Sequence, residues 1–305
     1  MKGQHHEDDA VARLMAAPLT EQAATMMAWG LDPAGLLILM SPCEGRCFFC
    51  AQPAVTHPPR SDWTEWSRVE ALLSENQTAG LRRLCIGGTE PTTHPDFAHA
   101  LQLARSQGFE SIELMTSGLA LATPGVAEQW RQAGIETIAV PIYSAEAEVH
   151  DQVVGVQCHD RLLAGLDAAV AAGIRVHIHT LALRRTLPGL EALFILCRER
   201  LGATLSLAPA RPKDGVWDFS TEAAGLDEVA AAMAPLPIGA VHLTGWPDCL
   251  APDHPRLAAQ VIDVYFRGQA RGFGDDCADC IARPDCPGLV KALLSRDGTA
   301  GLCPR

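Results

Sequence analysis

Three cysteines fall within eight residues, in the stretch Cys43-Glu44-Gly45-Arg46-Cys47-Phe48-Phe49-Cys50. The C-x3-C-x2-C spacing puts three thiols on one short loop, directly after the apolar run Leu36-Leu37-Ile38-Leu39-Met40. Cysteine sulfur is the usual ligand of iron–sulfur clusters, and three thiolates can hold three irons of a [4Fe–4S] cube. The fourth iron then lacks a protein ligand and stays open to a small molecule. The competing reading is a zinc loop or a set of unrelated thiols.

The rest of the chain narrows the choice. It has 305 residues, 48% of them hydrophobic, enough for one large domain or one large and one small. The net charge of -12 argues against nucleic acid, which would want a basic stripe, and against anionic lipid. The start, Met1 to Asp9, is polar and acidic rather than a signal peptide, and no apolar run is long enough to span a bilayer. Eleven cysteines, an odd number, without an export signal point to a reducing cytoplasmic setting in which thiols bind metal more readily than they pair.

Residues 1–34 read as a polar, helical lead-in, with Leu14, Met15 and Leu19 as apolar positions and Pro18 splitting the stretch; His5 and His6 read as solvated. From Leu36 short apolar strands alternate with helices. Strands are expected at 36–40, 84–86, 111–116, 137–143, 175–183 and 204–208. Helices are expected at 62–75, 95–107, 126–133, 160–172 and 190–200, and Gly108, Gly134 and Gly173 supply stops. Six such units imply an α/β fold: a parallel sheet with helices outside, connected right-handedly, as a partial (β/α)6 TIM-like barrel spanning 35–211. Functional residues then belong at the C-terminal ends of strands. Past Arg211 prolines and glycines rise, and four of the eleven cysteines fall in the last 29 residues. Residues 212–305 read as a helical bridge, 221–233, followed by a small metal-stapled iron–sulfur domain.

Further chemistry follows the strands. Gly87-Gly88-Thr89-Glu90-Pro91 closes the second; two glycines bring bare backbone close to a ligand, and an acidic neighbour can accept from an ammonium group. A tight turn with no ligand is the plainer alternative. Period-2 alternation places Glu113, Met115 and Ser117 toward the barrel interior, and likewise His177 and His179, whose imidazoles suit hydrogen bonding or proton transfer. Strand four has no clear phase and ends at Ser144. Cys277-x2-Cys280-x5-Cys286 and Cys303 supply four thiols, enough for a tetrahedral zinc or a fully ligated [4Fe–4S] cluster. Cys249 is the one further candidate nearby. Cys85, Cys158 and Cys197 read as buried structural thiols, with Cys158 as a candidate hydrogen-atom donor.

The cysteine loop, with aromatic Phe49 before its third cysteine, resembles the radical S-adenosylmethionine (SAM) superfamily. The C-terminal spacing resembles that superfamily's SPASM and twitch extensions, which bind an auxiliary cluster. Gln52-Pro53, Pro141-Ile142-Tyr143-Ser144 and His150-Asp151-Gln152-Val153-Val154-Gly155 are similar to peptide maturases of the His-Xaa-Ser system, over roughly residues 36–210. Many SPASM-type relatives carry an arginine where this chain reads Val153-Val154.

The resemblance implies that SAM chelates the open iron of a cluster on Cys43, Cys47 and Cys50. It further implies that SAM is contacted around Phe49, Gly87, Gly88, Thr89, Glu90, Ser117, Ser144 and His179, with Glu90 on its amino group and Ser144 on its ribose. One electron then cleaves SAM to a 5′-deoxyadenosyl radical, which takes hydrogen from a substrate. The implied substrate is a ribosomal peptide undergoing cross-linking, oxidation or epimerisation. The alternatives are a small natural-product intermediate, or a non-catalytic metal-binding scaffold. A second [4Fe–4S] cluster on Cys277, Cys280, Cys286 and Cys303, and a flavodoxin- or ferredoxin-type reductant, complete the expectation. With 42 residues before Cys43, a separate leader-binding protein is expected to present a peptide, unless it docks on the barrel directly.

Overall fold

β1, Ala34–Leu39, buries every second residue, Leu37 and Leu39 among them. That alternation is what a strand shows when one face meets helices and the other does not. In the computed structural model, which describes residues 34–50, 63–212, 217–251, 271–283, 286, 288–299 and 302, β1 opens a seven-stranded, wholly parallel sheet. The lead-in with His5 and His6, Gln52-Pro53 and Cys303 lie outside the described residues. The strands run in sequence order: β1, β2 (Arg83–Gly88), β3 (Ser111–Met115), β4 (Ile135–Pro141), β5 (Arg175–Ala182), β6 (Thr204–Pro209) and β7 (His242–Leu243). β1 and β7 are both edges, so the barrel is partial and open.

Each crossover carries a helix. α1 (Trp66–Thr78) follows β1, α2 (Phe97–Ser106) follows β2, and α3 (Val126–Gln132) follows β3. Two helices follow β4, α4 (Ala147–Val154) and α5 (His159–Ala171). After β5 comes α6 (Leu190–Ile195), which continues as a π-helical turn over Leu196–Leu201. Leu84, Ile86, Ile112, Leu114, Ile138, Val140, Ile178, Leu205 and Leu207 form one buried layer between sheet and helices. Their in-between neighbours line the concave face. In register there stand Cys85 with Glu113, Met115 with Ala139 and His177, and Pro141 with His179, Ser206 and His242.

Three features depart from the sequence expectation. β4 has no readable phase because its register with β3 slips: Ile112 faces Ile135 but Glu113 faces Thr137, leaving Glu136 as an extra, bulged residue. α4 was not expected as a separate helix, since one of its buried positions, beside Val153 and Val154, is the polar His150. The bridge expected at 221–233 is two helices, α7 (Phe219–Glu222) and α8 (Leu226–Met233). Ala223 between them pairs with Leu183, and Gly225 N–H donates to Glu228 Oε2 at 2.6 Å. Beyond β7 a two-residue antiparallel pair, β8 (Arg271–Gly272) with β9 (Leu289–Val290), leads into α9 (Lys291–Asp297). No helix among the described residues is long and apolar enough to cross a membrane.

Gly88 sets how closely β2 ends against β1. Its φ is +139°, and a Cβ there would stand 2.0 Å from Leu39 O. Gly88→Ala is therefore expected to cost at least about 3 kcal/mol in denaturant unfolding, combining strain with a backbone clash. Gly87→Ala, whose Cβ meets Met115 Sδ at an ordinary 3.5 Å, should stay within about 1 kcal/mol of wild type.

Candidate functional site

The loop Cys43–Cys50 leaves the C-terminal end of β1 and is anchored before its first cysteine. Ser41 N–H donates to Thr89 Oγ1 at 2.8 Å, Thr89 Oγ1 donates back to Ser41 O, and Ser41 Oγ donates to Glu90 O at 2.6 Å. At its middle, Arg46 N–H donates to Val154 O at 2.8 Å, and Glu44 pairs with Arg161 of α5. Its last turn closes through Cys50 N–H to Cys47 O at 3.0 Å. A Cβ on Gly45 would sit 3.6 Å from Cys43 Sγ and 3.7 Å from Cys47 Sγ, so the chain turns between two converging thiols. Phe49 meets Tyr143 edge-on at 5.4 Å. Phe48 meets Trp217 edge-on at 5.7 Å, under the Arg185 guanidinium.

These thiols fit a metal cluster. Burial pushes the Cys43 thiol up to about 11, with Glu90, Cys50 and Glu44 adding to it against a lowering backbone hydrogen bond. Burial, then Cys50 and Cys43, push Cys47 up to about 12. What raises both is burial and neighbouring acidic or thiol groups. Crowded sulfurs of this kind are a donor set that a polynuclear iron centre neutralises.

Glu90, expected on the SAM amino group, lies just past the end of β2. It is 2% exposed, and its carboxylate is engaged within the protein. Oε1 accepts from Thr92 Oγ1 and Thr116 Oγ1, each at 2.7 Å, and Oε2 accepts from Ser117 N–H at 2.6 Å. The carboxylate thus ties the end of β2 to the end of β3 beside the loop, and among the described residues Oε2 carries a single protein donor. Ser144, expected on a ribose, is buried, and its Oγ accepts from Glu146 N–H at 3.0 Å at the start of α4. Ser117 and His179 stand near the strand ends at concave-face positions, as expected, and Gly87 keeps that face bare next to Met115.

His150, Asp151 and Cys158 bring ligand atoms within 4.8 Å of one another, but their hydrogen bonds are already made. Asp151 Oδ1 accepts from Cys158 N–H and His159 N–H at 3.0 Å each. His150 Nδ1 accepts from Tyr143 N–H, leaving its Nε2 toward the Cys158 sulfur at 3.7 Å. Cys158 is buried at the start of α5, near enough to the cysteine loop to act electrostatically on Cys47.

A second thiol group forms past β7. Cys249, Cys277, Cys280 and Cys286 line one cavity with Phe273 and Leu289. Burial, followed by Cys286, Cys277 and Cys280, pushes the Cys249 thiol up to about 11. Cys249 thus joins the three cysteines of the C-x2-C-x5-C run. Cys303 lies outside the described residues, while its neighbour Leu302 lines the same cavity. The convergence is held by Arg271, which donates to Gly288 O at 2.9 Å and to Gly245 O at 2.8 Å. Only proximity in sequence marked Cys249 beforehand; its 28-residue separation from Cys277 matches no compact ligand spacing.

The model of the radical SAM superfamily matches residues 37–193, just over half of the chain. The chain belongs to the radical SAM superfamily. It is an enzyme of that class, and membership implies a [4Fe–4S] cluster and SAM. The curated relatives include an AdoMet-dependent heme synthase of Methanosarcina barkeri, 30% identical over 182 residues covering 59% of this chain and 49% of the relative. A GTP 3',8-cyclase of Agrobacterium fabrum is 29% identical over 182 residues, covering 55% and 50%. This radical SAM chain thus spans about half the length of these curated relatives. Among solved structures, Streptococcus suis SuiB bound to S-adenosylmethionine superposes with a TM-score of 0.58 at 14% identity, over 92% of this chain and 79% of SuiB. SuiB bound to its precursor peptide SuiA gives 0.54 at 16%, over 70% and 47%. At these identities the likeness is one of fold.

Glu90→Gln tests whether the carboxylate acts chiefly as a tie between strand ends. It should lower unfolding free energy by about 1–3 kcal/mol, because a buried acceptor shared by Thr116 and Ser117 is weakened. SAM affinity, measured by equilibrium dialysis on the reconstituted protein, should fall no more than that loss of folded protein explains.

Proposed function

We propose that this radical SAM enzyme modifies a peptide, using one cluster on Cys43, Cys47 and Cys50 and a second iron–sulfur centre on Cys249, Cys277, Cys280 and Cys286. The observation that carries the reading is the convergence of the three loop thiols past the C-terminal end of β1. When bound, the first cluster and SAM supply reductive cleavage of SAM and a carbon radical able to take a hydrogen atom.

The protein's own part is to position and shield. Phe48, Phe49, Tyr143 and Trp217 surround the loop with aromatic rings, which limits water around the sulfurs. The Ser41–Thr89 pair and the Arg46–Val154 bond fix the loop against β2 and α4. Gly87 and Gly88 leave backbone uncovered for a small ligand. The acidic chain and its paired arginines favour an uncharged substrate. At the mouth Arg184 is engaged by Glu228, and Arg185 by Glu222. The rung of Pro141, His179, Ser206 and His242 carries no cation. A nucleotide triphosphate, of the kind the name GTP 3',8-cyclase describes for a relative, would find no counter-charge on that rung. SuiB, solved with a precursor peptide, supports a peptide for this fold.

Anaerobically reconstituted protein with reductant should cleave SAM to 5′-deoxyadenosine, and the Cys43→Ala, Cys47→Ala, Cys50→Ala triple variant should not. Persistent cleavage in that variant would sink the assignment. Wild type should hold about eight irons and the triple variant about four. Adding Cys249→Ala to the triple variant should remove that remaining iron, whereas adding Cys303→Ala should leave it; the reverse outcome would return Cys303 to the ligand set. Zinc in place of iron in the triple variant would make the second centre a structural one.

A further inference from the structure

The wall built by β5, β6 and β7 carries polar atoms that the function above leaves unused. His179, Ser206 and His242 share one rung of the parallel register and so project from one face. His177 is satisfied at both nitrogens, Nδ1 lying 2.7 Å from Thr204 Oγ1 and Nε2 3.0 Å from Ser206 Oγ. His179 and His242 are not. In each, Nδ1 is enclosed with no hydrogen-bond partner among the described residues.

That enclosure favours one tautomer. A neutral imidazole keeps one proton, and an orphaned buried N–H is rarer in proteins than an orphaned acceptor. A proton on Nε2 spares the enclosed Nδ1 an orphaned N–H, and both rings would then offer an N–H donor toward the concave face. Burial favours the neutral ring in both cases, most strongly for His179. The concave face is otherwise poor in fixed charge at this level. The carboxyl of Glu113 lies lower on the same face, near Arg83 and Arg175.

Two neutral donors on alternate strands, about 10 Å apart at the backbone, suit an acceptor that itself carries no charge. A carbonyl oxygen accepts from a neutral N–H without a counter-charge, and each ring can serve one. A carboxylate or phosphate would be desolvated on this rung, which has no cationic side chain of its own. We propose that His179 and His242 form a substrate subsite that holds amide carbonyls through their Nε2–H groups. This rests on the reading that the concave face receives the substrate, and it names the chemical group received.

The test uses full-length, reconstituted protein labelled with 15N-histidine, with N-methylacetamide as probe. His179 and His242 should show the Nε2–H tautomer, and their signals should shift saturably with the amide while that of His177 does not move. His179→Leu should weaken binding about fivefold, the worth of one hydrogen bond, and His179→Gln, which keeps an N–H donor, should restore most of it. If His179→Leu disturbs the His177 signal, and with it the wall, His242→Leu makes the same comparison independently. No amide shift, a stronger response to acetate, or a response of both histidines to SAM alone would each overturn the proposal. SAM cleavage is assayed on the same preparation, so loss of the parent chemistry is seen separately from loss of the subsite.

Discussion

The chemistry of this chain depends on how β1 ends beside β2. Three hydrogen bonds between Ser41 and the Thr89-Glu90 pair lock the residue before the cysteine loop to the residues after a parallel neighbour. The lock is short because Gly88 has no side chain and lets Leu39 O approach. Glu90 then extends it to β3 through Thr116 and Ser117. Three strand ends are thus fixed with respect to one another before any cofactor arrives, as preorganised binding requires. The loop adds its own contacts to α4 and α5, so neither end of the thiol set is left to the cluster to position.

Much of this was legible in the sequence. The alternating burial of β1 and β3, the glycine stops and the order of strands and helices follow from periods that single sequences display well. Cys43, Cys47 and Cys50 were legible because their spacing lies within one loop. What escaped reading shares a cause: each feature depends on a partner distant in sequence. The bulge at Glu136 exists only as a slip against β3. The two-residue β7 is a strand only because β6 is beside it. The hydrogen bonds from Thr116 and Ser117 to Glu90 were not legible, because those donors lie just past the next strand.

The two cysteine groups also differ in kind. The first is local, three thiols on a loop whose shape is fixed by neighbours on the sheet. The second draws Cys249 from the segment after β7 and the others from beyond the β8 strand, and Arg271 spans the gap between them. A guanidinium with rigid, planar donors suits that task, since it bonds two carbonyls from separate segments at once. On the concave face the rung nearest the strand ends, Pro141, His179, Ser206 and His242, holds no acidic or basic side chain other than its imidazoles, while Glu113 lies lower.

The split origin of the second group bears on how the protein matures in the cell. The N-terminal thiols share one eight-residue loop whose hydrogen-bonded anchors reach no further along the chain than Arg161, whereas the C-terminal set cannot gather until β7 has docked on β6 and Arg271 has reached both segments. The first set can thus take shape earlier in synthesis than the second. The order in which the two thiol sets gather is written into the chain's topology.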